Sequence, residues 1–363
     1  MIFFIAEKQI NELNNELFYK TKMIADKLEN VAKTGCVDTY QRIIEGEEDK
    51  NPEVSGGQTF LHLVAKHGHK ELCEAIIENL LEKYSHSDDI LKTLDGEADV
   101  ASMHLCNLQG RMPRNSKDQT PLHIAAIHGQ SKIFELFIDK LIDETNWQWA
   151  QLDDRQWTPL HYAAMMGNEK ICSIILKNFA EHKPTDYVDL ELQSPLHVAV
   201  HRGHFNICKL LTDYQASLDL KDSIGFTPLH IAAHRGNEDI CEFLIDRMVD
   251  INPTDSDGRT PLHIAAFEGH YKVCELFVIC CLESTDEYLN PKDFKGWTPL
   301  HGAAFNGRED VCELLLQNVS DTKPKDSEGL SPLDISKQRK NKSTSAIFKS
   351  FYKKHENKKK LKR

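Results

Sequence analysis

The sequence predicts an all-α solenoid of stacked helix-turn-helix units, joined by short hairpin-like turns. Three observations predict it. One four-residue string returns along most of the 363 residues, each copy sits between helix start and stop signals, and apolar positions follow helical spacing.

The string is Thr-Pro-Leu-His. It stands at Thr120–His123, Thr158–His161, Thr227–His230, Thr260–His263 and Thr298–His301, with variants at Thr59–His62, Ser194–His197 and Ser331–Asp334. The commonest spacing between starts is 33 residues, with short insertions and one long insertion at about 80–118. A worn copy lies 33 residues before Thr59, where Leu28, Ala32 and Gly35 match the Leu, Ala and Gly of later copies. The array thus spans 26–352, in nine units starting near 26, 59, 120, 158, 194, 227, 260, 298 and 331.

The copy at Thr260 shows why each unit folds locally. Thr260 is an N-cap, and Pro261 follows at the first helical position, where its missing N–H costs nothing. Leu262, Ala265 and Ala266 give a short apolar face on which a second helix can approach closely. Gly269 ends that helix in the left-handed region. Val273, Cys274, Leu276 and Phe277 mark the second helix, and Asp293-Phe294-Lys295-Gly296 reads as the turn to the next unit.

Seven near-complete copies of this pattern resemble the ankyrin repeat, whose unit is a turn plus two antiparallel helices. The resemblance covers about nine tenths of the chain. It implies a curved stack in which each unit buries its apolar face on its neighbours. It also implies that the histidine of the motif hydrogen-bonds backbone between neighbouring turns. The first and last units are degenerate, as caps require: the first lacks Thr-Pro and His, and the last has Asp334 for His and no Gly at its first helix end.

The flanks read differently. Residues 1–25 are expected to hold an amphipathic capping helix, with Ile10, Leu13, Leu17 and Ile24 on one stripe. The 80–118 insertion is expected to be a solvated loop with one helical stretch. Ile347 and Phe348 fall on the register of the last second helix, which leaves 353–363 as a loose basic tail. Residues 337–363 hold twelve Lys/Arg against Glu356, a charge of +11. The whole chain carries −12, so the rest carries −23 and would repel nucleic-acid phosphates. The tail cluster Lys358, Lys359, Lys360, Lys362 and Arg363 fits a nuclear-import signal or an anionic surface contact, and equally a solvated end without an address. The opening Met1–Ala6 is too short for a signal-peptide core, so the ten cysteines are expected to be reduced and the chain intracellular, in cytoplasm or nucleus.

Eighteen histidines invite a catalytic reading, but seven of them fill one register position: His62, His123, His161, His197, His230, His263 and His301. A side chain repeated in stacked units is structural. Cys73, Cys172, Cys208, Cys241, Cys274 and Cys312 likewise lie fourteen residues after their unit's Thr or Ser, on the inner seam of the second helix. His69/Cys73, His204/Cys208 and His270/Cys274 have the i, i+4 spacing of metal ligands, yet they follow the same register. No phosphate-cradling Gly-rich loop and no Gly-x-Ser-x-Gly appears. No catalysis, cofactor, metal or small-molecule substrate is therefore expected, and the chain is expected to be monomeric.

Function then has to be recognition of a protein. The resemblance places the contact face on the turn tips and on the two residues before each first-helix Gly. Candidates there are Ile127, His128, Met165, Met166, His201, Arg202, His234, Arg235, Phe267 and Phe305, with Trp157, Phe226, Arg259, Phe294 and Trp297 on the turns. Large apolar groups at exposed positions suggest a binding patch, and Trp and Arg are frequent hot spots. Two apolar zones, Ile127–Trp157 and Phe267–Phe305, flank Arg202, Arg235 and Arg259, so an acidic segment between two apolar anchors is the expected partner. Trp147 and Trp149 lie in the small insertion beside the first zone. For Trp157 and Trp297, flat packing between turns stands beside the anchor reading.

Overall fold

The computed structural model describes residues 22–45, 54, 57–85, 112–141, 152–248, 250–281 and 289–361. Residues 1–21, Trp147, Trp149, Lys362, Arg363 and most of the 80–118 insertion lie outside them. Among the described residues the chain is all helical, with eighteen α-helices and no strand. It divides into two compact units, Met1–Asp189 and Leu190–Arg363.

The first unit contains α1 (22–34), α2 (Val37–Ile44), α3 (Phe60–His67), α4 (Lys70–Ser85), α5 (Pro121–Ile127), α6 (Ser131–Leu141), α7 (Pro159–Met166) and α8 (Glu169–Phe179). Two 3₁₀ turns follow. Helices α3, α5 and α7 pack in one row, and α4, α6 and α8 in a second. The second unit repeats the plan. Its first row is α9 (Pro195–Arg202), α11 (Pro228–Arg235), α13 (Pro261–Glu268), α15 (Pro299–Phe305) and α17 (Pro332–Gln338). Its second row is α10 (Phe205–Asp213), α12 (Glu238–Ile245), α14 (Tyr271–Cys281), α16 (Glu309–Asn318) and α18 (Lys342–Leu361).

The Thr-Pro-Leu-His string accounts for the first row. The threonine N–H donates to its own histidine's Nδ1, as at Thr227 (3.2 Å) and Thr260 (3.1 Å), closing a capping box with imidazole in the usual glutamate place. Nδ1 is thus an acceptor, and Nε2 carries the proton. That proton goes to a carbonyl of the next turn: His62 to Gln119, His123 to Trp157, His230 to Arg259 and His263 to Trp297, at 2.8–3.0 Å. Leu and the paired Ala of the string are buried between rows, which lets the short helices touch.

Two further ladders hold neighbours in register. Most turns are closed by an aspartate whose carboxylate accepts two backbone N–H groups, as Asp222 does from Ile224 and Phe226, and the Asn115 amide oxygen does the same for Lys117 and Gln119. Successive tips join by backbone bonds, including Ser256 N–H to the Ile224 carbonyl and Phe294 N–H to the Asp257 carbonyl. At the other end of the first row, the residue after the left-handed helix-ending position donates to the preceding helix end: Asn168 to Ala126, His270 to His234 and Asn341 to Phe305. These bonds cap carbonyls that a helix end otherwise leaves open.

The last pair departs from the pattern in two ways. Asp334 takes the histidine's capping role, accepting from the Ser331 hydroxyl at 2.6 Å, and that bond holds its carboxyl down to about 2. Lys340 stands where other units have Gly and takes φ +61°, a conformation that strains a side-chain-bearing residue. The loose tail expected from Lys353 is instead helical: α18 continues through Leu361. Its first half is docked by fully buried Phe348 and by Tyr352, whose hydroxyl donates to the Thr322 carbonyl.

Candidate partner-binding groove

In the second unit, the turn tips and the first-row helix ends enclose a groove of about 560 Å³. The tips contribute Ile224, Asp257, Phe294, Lys295 and Trp297. The helix ends contribute His234, Phe267, Glu268 and Phe305, and Gly302 lies in the floor. Phe267 and Phe305 stack at 5.9 Å between centroids, and Trp297 meets Phe305 at 5.3 Å. Phe294, at the tip, is 80% exposed, and Phe267 is 37% exposed. Both lie on the same face of the unit.

The turn geometry explains this placement. Asp293 accepts the Lys295 and Trp297 N–H groups, and His263 holds the Trp297 carbonyl. The backbone of residue 297 is therefore pinned on both sides while its ring faces the groove. The indole N–H of Trp297 makes no hydrogen bond among the described residues.

Phe226 and Arg259 also line the groove, but less freely than the other turn candidates. Phe226 is only 8% exposed: its ring stacks on His230 at 5.3 Å, and the Arg259 guanidinium lies 5.9 Å from its centroid. Arg259 is bound within its own turn, to Asp255 at 2.8 Å and Asp257 at 3.3 Å. The freer cations are Arg202 and Arg235, both exposed. Arg235 donates to the His201 ring at 2.8 Å, and burial together with that cation pushes His201 below its ordinary pKa. His234 is lowered too, chiefly by burial.

The first apolar zone belongs to the other unit. There Ile127 and Met165 are half-buried, while His128 and Met166 are exposed. Trp157 is occupied: its indole N–H donates to Asp189 at 2.8 Å, and its ring lies 4.9 Å from Tyr162. Tyr162 in turn donates to Asp153 and accepts from Gln119. Trp157 is thus held by ring contacts and a hydrogen bond within its own unit, whereas Trp297 lines an open groove. Only the arginines and the Phe267–Phe305 zone share one unit, so a binding face running through both apolar zones does not follow.

Register reading missed Gly302, Ile224 and Lys295 as groove residues, and Arg339, whose guanidinium lies 4.1 Å from the Phe305 centroid. Gly302 was readable. Its position holds Leu63, Ile124, Tyr162, Val198, Ile231, Ile264 and Ile335 in the other copies. Lys358, Lys359 and Lys360 lie in the last helix, away from the described groove lining.

The repeated histidines and thiols are spent on structure. Burial depresses His62, His230 and His263 to about 4, so they are neutral donors. It raises Cys172, Cys208 and Cys241 to about 12, which removes the thiolate that nucleophilic or metal chemistry requires. In the i, i+4 pairs, His69 and His270 direct Nε2 at the carbonyls of Lys33 and His234. Among the described residues no group of three His, Cys, Asp or Glu side chains could hold a metal ion, and no helix is long and apolar enough to cross a membrane.

The family model described as ankyrin repeats (3 copies) matches residues 28–143, 86–186, 176–255, 196–286 and 248–326. The chain belongs to the ankyrin-repeat family. Ankyrin repeats are in general protein–protein interaction modules without catalytic activity. No curated relative matches the chain. Within the ankyrin pattern, the groove is made by the positions that vary from unit to unit, while Thr, Pro, Leu, His and Gly form the frame beneath it.

Proposed function

We propose that this chain is a non-catalytic adaptor that holds a protein partner in the aromatic groove of its second unit and on the arginine-bearing helix ends beside it. The observation that carries this is the groove itself: Phe267, Trp297 and Phe305 gathered on one face, with Phe294 exposed above them. Exposed aromatic surface weakens solubility, and Trp and Arg supply much of the energy of known interfaces. The partner carries acidic residues that meet Arg202 and Arg235, beside an apolar anchor. The chain acts as a monomer in a reducing compartment, cytoplasm or nucleus, a reading supported by the six register cysteines, all buried as free thiols.

Arg202→Glu with Arg235→Glu tests it by pull-down. Both residues are exposed, so the fold should persist while partner recovery falls. Unchanged recovery by the folded double variant contradicts the reading.

A second reading has its own support. The last helix carries Lys353, Lys354 and the 358–360 lysines away from the groove, in a form suited to an anionic membrane surface or nucleic acid. Binding to anionic vesicles and to DNA, followed against salt, separates the two readings. Salt-sensitive vesicle or DNA binding that is lost when 353–363 is removed favours this second reading.

A further inference from the structure

We infer that Gly302 opens a socket in the groove floor that takes one aromatic side chain of the partner, with acidic residues on both sides of that anchor in the partner's sequence. This deepens the adaptor reading and rests on it.

The socket follows from one register position. Four residues after the motif's Thr or Ser, other copies place a buried side chain, such as Ile231, Ile264 or Tyr162. Gly302 has none. A Cβ built there meets Phe267 at 3.5–3.7 Å, ordinary van der Waals contact, so the fold does not exclude a side chain at this place. Glycine inside α15 also costs helix stability relative to alanine. A position that accommodates a side chain, holds one in its sister units, and instead carries a destabilising glycine leaves space where the groove is walled by Phe267, Trp297 and Phe305.

Those walls select the occupant. They are ring faces and edges, against which an aromatic group packs with the best geometry. The Trp297 indole N–H offers a donor at the rim. Charge sets the flanks. Asp257 is paired with Arg259, and Asp293 is used by its own turn, which leaves Glu268 among the lining carboxylates. Against it stand Lys295 on the rim, Arg235 beside His234 on α11, and Arg339 over the outer face of Phe305 at the other end. An anchor seated over Gly302 thus has cations on either side along the row of helices, and acidic flanks match them.

The test is a random peptide library displayed on phage and selected against the full chain. Selected peptides should carry Trp, Phe or Tyr with Asp or Glu on both sides. Their affinity should drop about tenfold or more on Gly302→Val, which fills the socket as the sister units do, and by a smaller factor on Gly302→Ala. Thermal melting of both variants at or above the parent temperature shows that the fold is kept. Selected peptides centred on Lys or Arg overturn the inference, because the socket then prefers a cation. Peptides that bind Gly302→Val as tightly as the parent but lose binding on Phe294→Ala with Arg235→Glu overturn the socket and leave the groove reading standing. Peptides indifferent to all these changes, or no binding peptide at all, overturn both.

Discussion

Trp157 and Trp297 open the same five-residue string, Trp-Thr-Pro-Leu-His, in two different copies of the repeat. In the first copy the half-buried indole is tied to its neighbours. Asp189 accepts its N–H, Tyr162 lies against its ring, and Tyr162 is itself tied to Asp153 and Gln119. In the second copy the residue matching Tyr162 is Gly302, and the Trp297 ring, also half-buried, lines the groove beside Phe305 with no hydrogen bond to its indole N–H among the described residues. The backbone is built alike in both, with His123 holding the Trp157 carbonyl and His263 holding that of Trp297. What separates the hydrogen-bonded tryptophan from the groove-lining one is the side chain five residues further on.

Changes of condition and sequence can break or sharpen that contrast. The largest expected effect falls on what the two copies share, the imidazole ladder. His62, His230 and His263 have folded pKa values of about 4, below the ordinary 6.5. As pH falls below 6.5, the unfolded chain takes up protons that the folded chain refuses, so stability declines until about pH 4. The linkage amounts to about 3 kcal/mol per histidine, or about 6 kcal/mol for His230 and His263 together in the second unit. Urea denaturation between pH 7.5 and 4.5 checks this, and a flat profile contradicts the buried neutral imidazoles.

Next comes Tyr162→Gly, which removes a buried ring and both of its hydrogen bonds. The expected cost is about 3–5 kcal/mol in denaturant unfolding. A loss below about 1 kcal/mol would mean that Tyr162 does not support Trp157. Trp157→Phe should cost about 1 kcal/mol, from the lost bond to Asp189. Trp297→Phe should stay within about 0.5 kcal/mol of the parent. Equal losses for the two substitutions erase the contrast. The smallest effect has the opposite sign: Gly302→Ala should stabilise the fold by about 0.5–1 kcal/mol, seen as a raised melting temperature.

Much of the fold was legible because a repeat states its frame many times over. Thr, Pro, Leu, His and Gly recur where cap, first turn, core, ladder and helix end require them, and the Lys340 and Asp334 departures are visible as gaps in that list. The site was legible in part. Phe267, Phe294, Trp297 and Phe305 stand out as large apolar residues at surface positions. Phe226 lines the groove too but is mostly buried, because its ring stacks on His230 and the exposure of the residue before the motif depends on its neighbours. Arg259 lines the groove as well, and its bonds to Asp255 and Asp257 were not readable because they depend on how tightly that turn closes. Gly302 was not read as a groove residue for a different reason: a glycine at a core position has no side chain to mark it as part of a surface. The helical end of α18 was also hidden, since a lysine-rich stretch reads alike as solvated tail or helix.

Hydrogen exchange at the two indole nitrogens tests the central contrast most directly, and it requires no partner. With tryptophan labelled at Nε1 and each resonance assigned by single Trp→Phe substitution, the Trp157 N–H should exchange slowly, held by Asp189, while the Trp297 N–H should exchange with water at a rate near that of a free indole. Equal protection at both nitrogens, or faster exchange at Trp157, would contradict the account.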